Sequence, residues 1–304
     1  MNRDQIRIGL AKLLHTGSRA GSEISEGPIV MEEVIKKRME ELGCVVVDSA
    51  SAHLTPEEEL HYGVWHRLGL ASRHFGGTVA DMRRRGLLTI GLLANCNGLM
   101  GMLGGLQHSG KDWRPLRIGL VYCDAHGDFN TPETTLSGML GGMPVAVSTG
   151  MCLTRLRIEC GLDPALPSRY VTLVGVRDLD PLEQELVDRL DVGRISVDEV
   201  RRGSPSIDLK MERLAILTDL IYVHVDLDVL DPSEVSGHDL SVEDGPTSRE
   251  MGDALEMMFE HPKAAAFGIA SYPIGYDENG LTLRAVSNLV EGVVSGLKNR
   301  NEIR

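Results

Sequence analysis

The chain has 304 residues, with 31 Lys and Arg against 44 Asp and Glu, giving a formal charge of −13 and a pI near 5.2. Its 42% apolar and 25% charged residues suit a folded globular protein and exclude a disordered chain or a fibre. The acidic balance excludes a nucleic-acid partner, which calls for a concentrated basic face; the one dense basic run, Arg83-Arg84-Arg85, reads as a solvated helix end.

In chain order, Arg7–Leu10 reads as a first strand, followed by a Gly/Ser loop over 17–28, a helix over Val30–Leu42 and a strand over Cys44–Val47. Thr55-Pro56-Glu57-Glu58 supplies an N-cap and a first-turn proline, predicting a helix from there to about Arg85. A strand near Leu88–Leu93, a helix to about His108 and a strand over Arg117–Cys123 come next. Further strands fall at Tyr170–Val174, Ile221–Val225 and Ala265–Ile269, with helices over Pro181–Leu190, Ser248–Phe259 and Leu281–Leu297 between and after them. The stretch Leu87–Leu106 lacks charge and approaches the length of a membrane span, but its glycines, Asn95 and Asn97 point to a buried strand running into a packed helix. Strands that are apolar on both faces and alternate with helices predict a parallel sheet covered on both sides. No repeat or linker divides the chain, so a single domain over 1–304 is expected. The five cysteines lack CxxC spacing, and the polar start Met1-Asn2-Arg3-Asp4 lacks the apolar core of a signal peptide; a cytoplasmic protein without a membrane segment is expected.

The chemistry gathers at two strand ends. Asp124, His126 and Asp128 alternate directly after the strand ending at Cys123, so in extended chain all three project the same way. Carboxylate with imidazole suits a divalent transition metal, with manganese, iron, nickel, cobalt and zinc admissible; taken alone, the segment also fits a polar loop. Asp226 and Asp228 again alternate after an apolar strand. Two acidic clusters at neighbouring strand ends repel unless cations neutralise them, and five ligands are enough for two metals that share carboxylates and activate water.

The blocks Asp124-Ala125-His126-Gly127-Asp128-Phe129-Asn130-Thr131-Pro132, Ser137-Gly138, Gly142-Met143-Pro144, Gly175-Val176-Arg177-Asp178-Leu179-Asp180 and Asp226-Leu227-Asp228-Val229-Leu230-Asp231-Pro232 stand in the order and spacing of the arginase/agmatinase family, the ureohydrolases, which the chain resembles over nearly its whole length. The resemblance implies a three-layer α/β/α fold with a central parallel sheet of about eight strands, two divalent metal ions with manganese foremost, a small-molecule substrate and a homo-oligomer, trimer or hexamer. Carried over residue by residue, it makes Asp124 and Asp226 bridging carboxylates, with Asp128 completing one metal site and His126 and Asp228 the other. Asp128 also becomes a proton acceptor and donor. Asn130 and Ser137 would hold a substrate α-carboxylate, and Asp180 would lie near its α-amino group.

Three positions depart from the family pattern. Cys96, in Asn95-Cys96-Asn97, stands where the family places a metal-binding His; a thiolate ligates well but shifts preference away from manganese, and the other reading is a buried apolar residue beside a weakened site. A branch that hydrolyses Nω-hydroxyarginine is similar around Cys96 and shares the run 127–135. Gly141 replaces the proposed proton-shuttle His, a role His238 could take over unless it is an exposed loop residue. Pro273 stands where the Glu that pairs with a guanidinium is expected. The leading expectation is therefore a binuclear hydrolase of a non-peptide C–N bond in a modified guanidine or amidine, with Nω-hydroxyarginine ahead of arginine or agmatine. The alternatives are a hydrolase of an amide or formimino substrate, and a silent subunit of a hetero-oligomer.

Overall fold

A computed structural model describes residues 5–18, 22–238 and 240–302; the polar N-terminal tetrapeptide lies outside them. Eight strands are found among the described residues: β1 (Arg7–Leu13), β2 (Val45–Ala52), β3 (Leu88–Leu93), β4 (Ile118–Cys123), β5 (Val171–Val174), β6 (Gly193–Ile195), β7 (Leu220–Asp226) and β8 (Ala264–Ala270). They form one sheet in the order β2-β1-β3-β8-β7-β4-β5-β6, and every neighbouring pair is parallel.

Side chains alternate between the two faces of each strand, and each face builds its own core. On one face Ile90, Leu92, Val223 and Val225 pack with Met31, Ile35, Met251, Leu255, Val286 and Val290 from the helices Gly27–Glu41, Ser248–Glu260 and Leu281–Glu302. On the other, Leu120, Tyr122 and Tyr222 pack with Phe75, Val79, Leu99 and Leu103 from the helices Val64–Arg84 and Leu99–Gln107. The result is the expected three-layer α/β/α architecture. The uncharged stretch 87–106 is a fully buried strand followed by a buried helix, and no described helix is long and apolar enough to cross a membrane. Its glycines permit close packing: a Cβ on Gly105 would lie 2.5 Å from the Gly76 carbonyl oxygen, so the two helices meet backbone to backbone.

The structure corrects the sequence reading in several places, among them the helix Ser206–Leu217, which was not expected. The helix expected from Thr55 to Arg85 is broken into Pro56–Glu59 and Val64–Arg84. Gly63 sits between them at φ +102°, a conformation open to glycine and costly for other residues. The strand β6 was not foreseen, being three residues long and placed at the sheet edge.

Candidate metal centre and active-site cavity

A parallel sheet collects functional side chains outside the carboxyl ends of its strands. Here Cys96 follows β3, Asp124 follows β4, Asp178 follows β5, Asp226 ends β7 and Ser271 follows β8. All five line one cavity of about 310 Å³, together with His126, Asp128, Asn130, Ser137, Gly141, Asp180, Glu183, Asp228 and His238. The residues expected at the site from sequence are therefore brought together.

The floor is carboxylate. Asp124, Asp128, Asp226 and Asp228 are each between 2% and 5% exposed. Among the described residues, the basic side chains within ion-pairing reach of them are two imidazoles. His126 Nδ1 lies 3.3 Å from Asp124 and 3.2 Å from Asp228, and His238 Nε2 lies 3.8 Å from Asp226. Arg177, from the Gly-Val-Arg-Asp block, gives its guanidinium to backbone carbonyls instead, including those of Gly175, Val229 and Val242. Local hydrogen bonds aim the carboxylates. The His126 amide donates to Asp124 at 2.7 Å, the Asp228 amide to Asp226 at 3.1 Å and the Ala125 amide to Asp228 at 3.2 Å. The Tyr122 hydroxyl donates to Asp128, and the Ser271 hydroxyl to Asp226. Two lining residues, Asp128 at φ +51° and Ser271 at φ +67°, hold left-handed backbone, a strained state that persists where surrounding contacts enforce it.

Cys96 Sγ lies 2.7 Å from Asp226 Oδ2 and 3.5 Å from Asp124 Oδ2. Burial raises its thiol pKa well above the usual range, with Asp226, Asp124 and Asp128 adding to the effect. Burial, reinforced by Asp124, likewise raises Asp128 well above a normal carboxylate. Burial and Asp228 raise Asp226, while burial and Asp124 push Asp228 up to about 6. Burial pulls the His126 imidazole down, but hydrogen bonds to Asp124 and Asp228 overcome it and carry the ring up to about 11.

Such a cluster of anionic groups is costly in a dry interior without cations. Its donors fall into three sets with ligand atoms within 4.8 Å of one another: Cys96 with Asp124 and Asp128; Asp124 with His126 and Asp228; and Asp226 with Asp228 and His238. The first two share Asp124, as two adjacent ions with a common carboxylate require. His238, the expected alternative proton carrier, is not an exposed loop residue. Its side chain is 11% exposed, and its buried Nδ1 has no partner. The residues present fit a pair of divalent cations.

The Arginase family matches this chain over residues 101–295. The arginase of Bacillus caldovelox is 31% identical over 247 residues, covering 78% of this chain and 81% of that protein. Human Arginase-1 is 27% identical over 238 residues, 75% of this chain and 72% of its own. The solved structure of the B. caldovelox arginase superposes with a TM-score of 0.79 at 25% identity, covering 96% and 99% of the two chains. The formimidoylglutamase of Bacillus subtilis shares the fold with a TM-score of 0.71 at 18% identity, covering 98% and 89%.

The chain belongs to the arginase family. Members of this family are metal-dependent amidinohydrolases that work on small molecules with two metal ions.

Against the family pattern, the three departures have structural consequences. Cys96 sits at the border of the apolar cluster that holds Leu93, Leu99 and Tyr122, with its sulfur against the carboxylates of Asp124 and Asp226. Gly141 lines the cavity, and a Cβ built there meets nothing within 4 Å, so the missing imidazole leaves open space. Pro273 does not reach the cavity; Ser271 lines it in that region. The nearby Asp277 instead accepts from the Thr282 and Leu283 amides at the start of the last helix. His108, whose sequence surroundings imitate the missing metal-binding block, is exposed at the end of the helix Leu99–Gln107.

On the opposite wall Asn130 donates to Asp180 at 3.0 Å and to Glu183 at 3.2 Å, and accepts from Thr134 at 2.9 Å. Ser137 lies exposed at the rim, its Oγ accepting from the Met139 amide. Sequence reasoning missed Glu183, Ser271 and the buried tyrosines Tyr122 and Tyr222. Only Glu183 carried a visible signal, as the third helical residue after Asp180 in a capping box.

Proposed function

We propose that the chain, acting as one domain, hydrolyses a C–N bond in a modified guanidine or amidine carried by an amino-acid-like small molecule. Nω-hydroxyarginine is the nearest named candidate. The observation that carries this reading is the wall after β8: Ser271, neutral and donating to Asp226, lines the cavity there, while Pro273, at the position expected to carry the guanidinium-pairing Glu, does not reach it. A buried cation without its bidentate partner loses several kcal/mol of interaction, so a less basic hydroxyguanidine is favoured over arginine.

In this reading Cys96, Asp124 and Asp128 would hold one cation, and Asp124, His126 and Asp228 the other, with Asp226 available to both. Cations bound there would offset the carboxylate charge and would supply an acidified water as nucleophile. Asp128, steadied by Tyr122, accepts the proton released on attack and returns it to the leaving amine. His238, at the cavity edge with an unpartnered Nδ1, exchanges protons with solvent. Asp180, held by Asn130 and the Leu136 amide, faces the substrate α-ammonium. Ser137 meets its carboxylate.

The test is a comparison of Nω-hydroxyarginine, arginine, agmatine, a formimino-amino acid and simple amides on protein stripped by chelator and reloaded with manganese or cobalt, with bound metal counted per chain. Two ions per chain and a kcat/KM at least about tenfold higher for hydroxyarginine than for arginine are expected, the size of a difference near 1.4 kcal/mol. A preference for arginine would reject the substrate assignment. Two bound ions without turnover of any of these substrates would favour a silent family member.

A further inference from the structure

Behind Cys96, away from the cavity, lies an imidazole to which the proposed reaction gives no role. His224 is fully buried, and its Nε2 is 3.4 Å from Cys96 Sγ. Its other nitrogen, Nδ1, is 2.8 Å from the Tyr222 hydroxyl. The ring stacks on Tyr122, with centroids 5.0 Å apart and planes 9° apart, and meets Tyr222 edge-on at 5.9 Å. We infer that His224 is a positioning residue that donates a hydrogen bond from Nε2 to the Cys96 sulfur and so fixes that sulfur as a metal ligand. The inference rests on the reading of Cys96 as a ligand.

The sheet builds this arrangement deliberately close. Tyr222 and His224 point to the same face of β7, and His224 is in register with Tyr122 on β4 and Gly268 on β8. A Cβ on Gly268 would stand 2.0 Å from the Tyr222 hydroxyl oxygen, so only a residue without a side chain leaves room for the tyrosine that holds the histidine. A phenylalanine or leucine at 224 would fill a core position with no buried ring nitrogens to satisfy, whereas histidine carries two. Both nitrogens have partners here, one in Tyr222 and the other in sulfur.

The direction of the hydrogen bonds follows from the chemistry of the ligand. A cysteine that binds a cation has lost its proton, so its sulfur can only accept. Nε2 must then carry the ring proton, and Nδ1 must accept from the Tyr222 hydroxyl. The chain Tyr222 O–H to Nδ1, then Nε2–H to Sγ, sets one neutral tautomer and one sulfur orientation. Outer partners of this kind commonly change metal affinity by about 10–100-fold. The same imidazole lies 128 positions from Cys96 in sequence, so only the sheet register brings the two together.

The experiment titrates cobalt(II) chloride into the metal-stripped full chain and reads bound cobalt per chain together with the near-ultraviolet sulfur-to-cobalt charge-transfer band. Wild type is expected to show the band. His224→Phe keeps a ring against Tyr122 but removes the donor, and should weaken the sulfur-bearing site about 10–100-fold and shift or abolish the band. His224→Gln, which can place an N–H near Nε2, should recover most of the affinity, and Tyr222→Phe should shift the band with a smaller loss. In a Cys96→His background, His224→Phe should leave cobalt affinity unchanged, because there is no sulfur to orient. An equal loss in that background would make the effect structural and overturn the inference, as would wild-type affinity and an unshifted band in His224→Phe. If His224→Phe does not fold, an unshifted band in Tyr222→Phe overturns it equally. A wild type that binds cobalt without the band rejects Cys96 as a ligand and takes the inference down with it; a band that ignores residue 224 rejects the inference alone.

Discussion

Ser271 and Asp226 meet across neighbouring strands, the serine hydroxyl donating to the carboxylate from a backbone held at φ +67°. Two substitutions separate the hydroxyl from the backbone. Ser271→Ala and Ser271→Gly both remove the hydrogen bond, but only glycine relieves the left-handed conformation, which costs other residues about 1–2 kcal/mol. Ser271→Gly should therefore be the more stable of the two by about 1 kcal/mol in urea unfolding of the metal-free chain. Equal midpoints would show that the strain is absorbed elsewhere.

Glu183 gives the fold a pH dependence of defined sign. Burial raises its carboxyl pKa to about 7, against hydrogen bonds from the Phe129 and Asp180 amides that lower it. A folded-state pKa above the unfolded value near 4.5 means that this group's contribution is fully present below pH 4.5. It is lost as pH rises through 7. Glu183→Gln should flatten the fall in stability between pH 5 and pH 8, by up to about 1.4 kcal/mol per pH unit removed. Chemical unfolding across that window reads it directly, and parallel curves for the two proteins would refute the assignment.

His238 and Gly141 make a complementary pair of tests. Removing the imidazole that faces the cavity, His238→Ala, should lower kcat by about 100-fold if it carries protons. A Cβ at Gly141 meets nothing within 4 Å and Gly141 lines the cavity, so Gly141→His should fold with stability within about 0.5 kcal/mol of wild type. Placed in the His238→Ala chain, it should recover part of the lost kcat. A His238→Ala enzyme with unchanged kcat and pH profile would remove His238 from the mechanism.

The fold was legible in the sequence wherever a strand was long and buried on both faces. The runs ending at Leu93, Cys123 and Val225 are visible by composition, and the residues following two of them show their chemistry by alternation. Edge strand β6 did not, because three residues with one exposed position, in the burial order buried, exposed, buried, carry no periodic signal. The helix predicted across Leu60–Gly63 failed because helical composition continues where Gly63 turns the backbone out of helical space. Asn130 and Asp180 were visible as motif residues, but their mutual hydrogen bond was not, being a contact across 50 positions. Tyr122, Tyr222 and His224 read as ordinary strand residues. What makes them notable is the row in which neighbouring strands place them, a relation no single segment contains.

The backbone-to-backbone contact of Gly76 with Gly105 bears on how the cavity can breathe. Helix Leu99–Gln107 begins directly after the short turn Cys96–Gly98, and where Gly105 meets Gly76 no side chain separates the two backbones. That contact leaves the wall little room to shift, whereas the rim residues Leu136, Ser137 and Met139 are exposed. Substitutions at the rim are therefore expected to alter access of small molecules without loosening the ion-holding floor, since the two belong to separate parts of the chain.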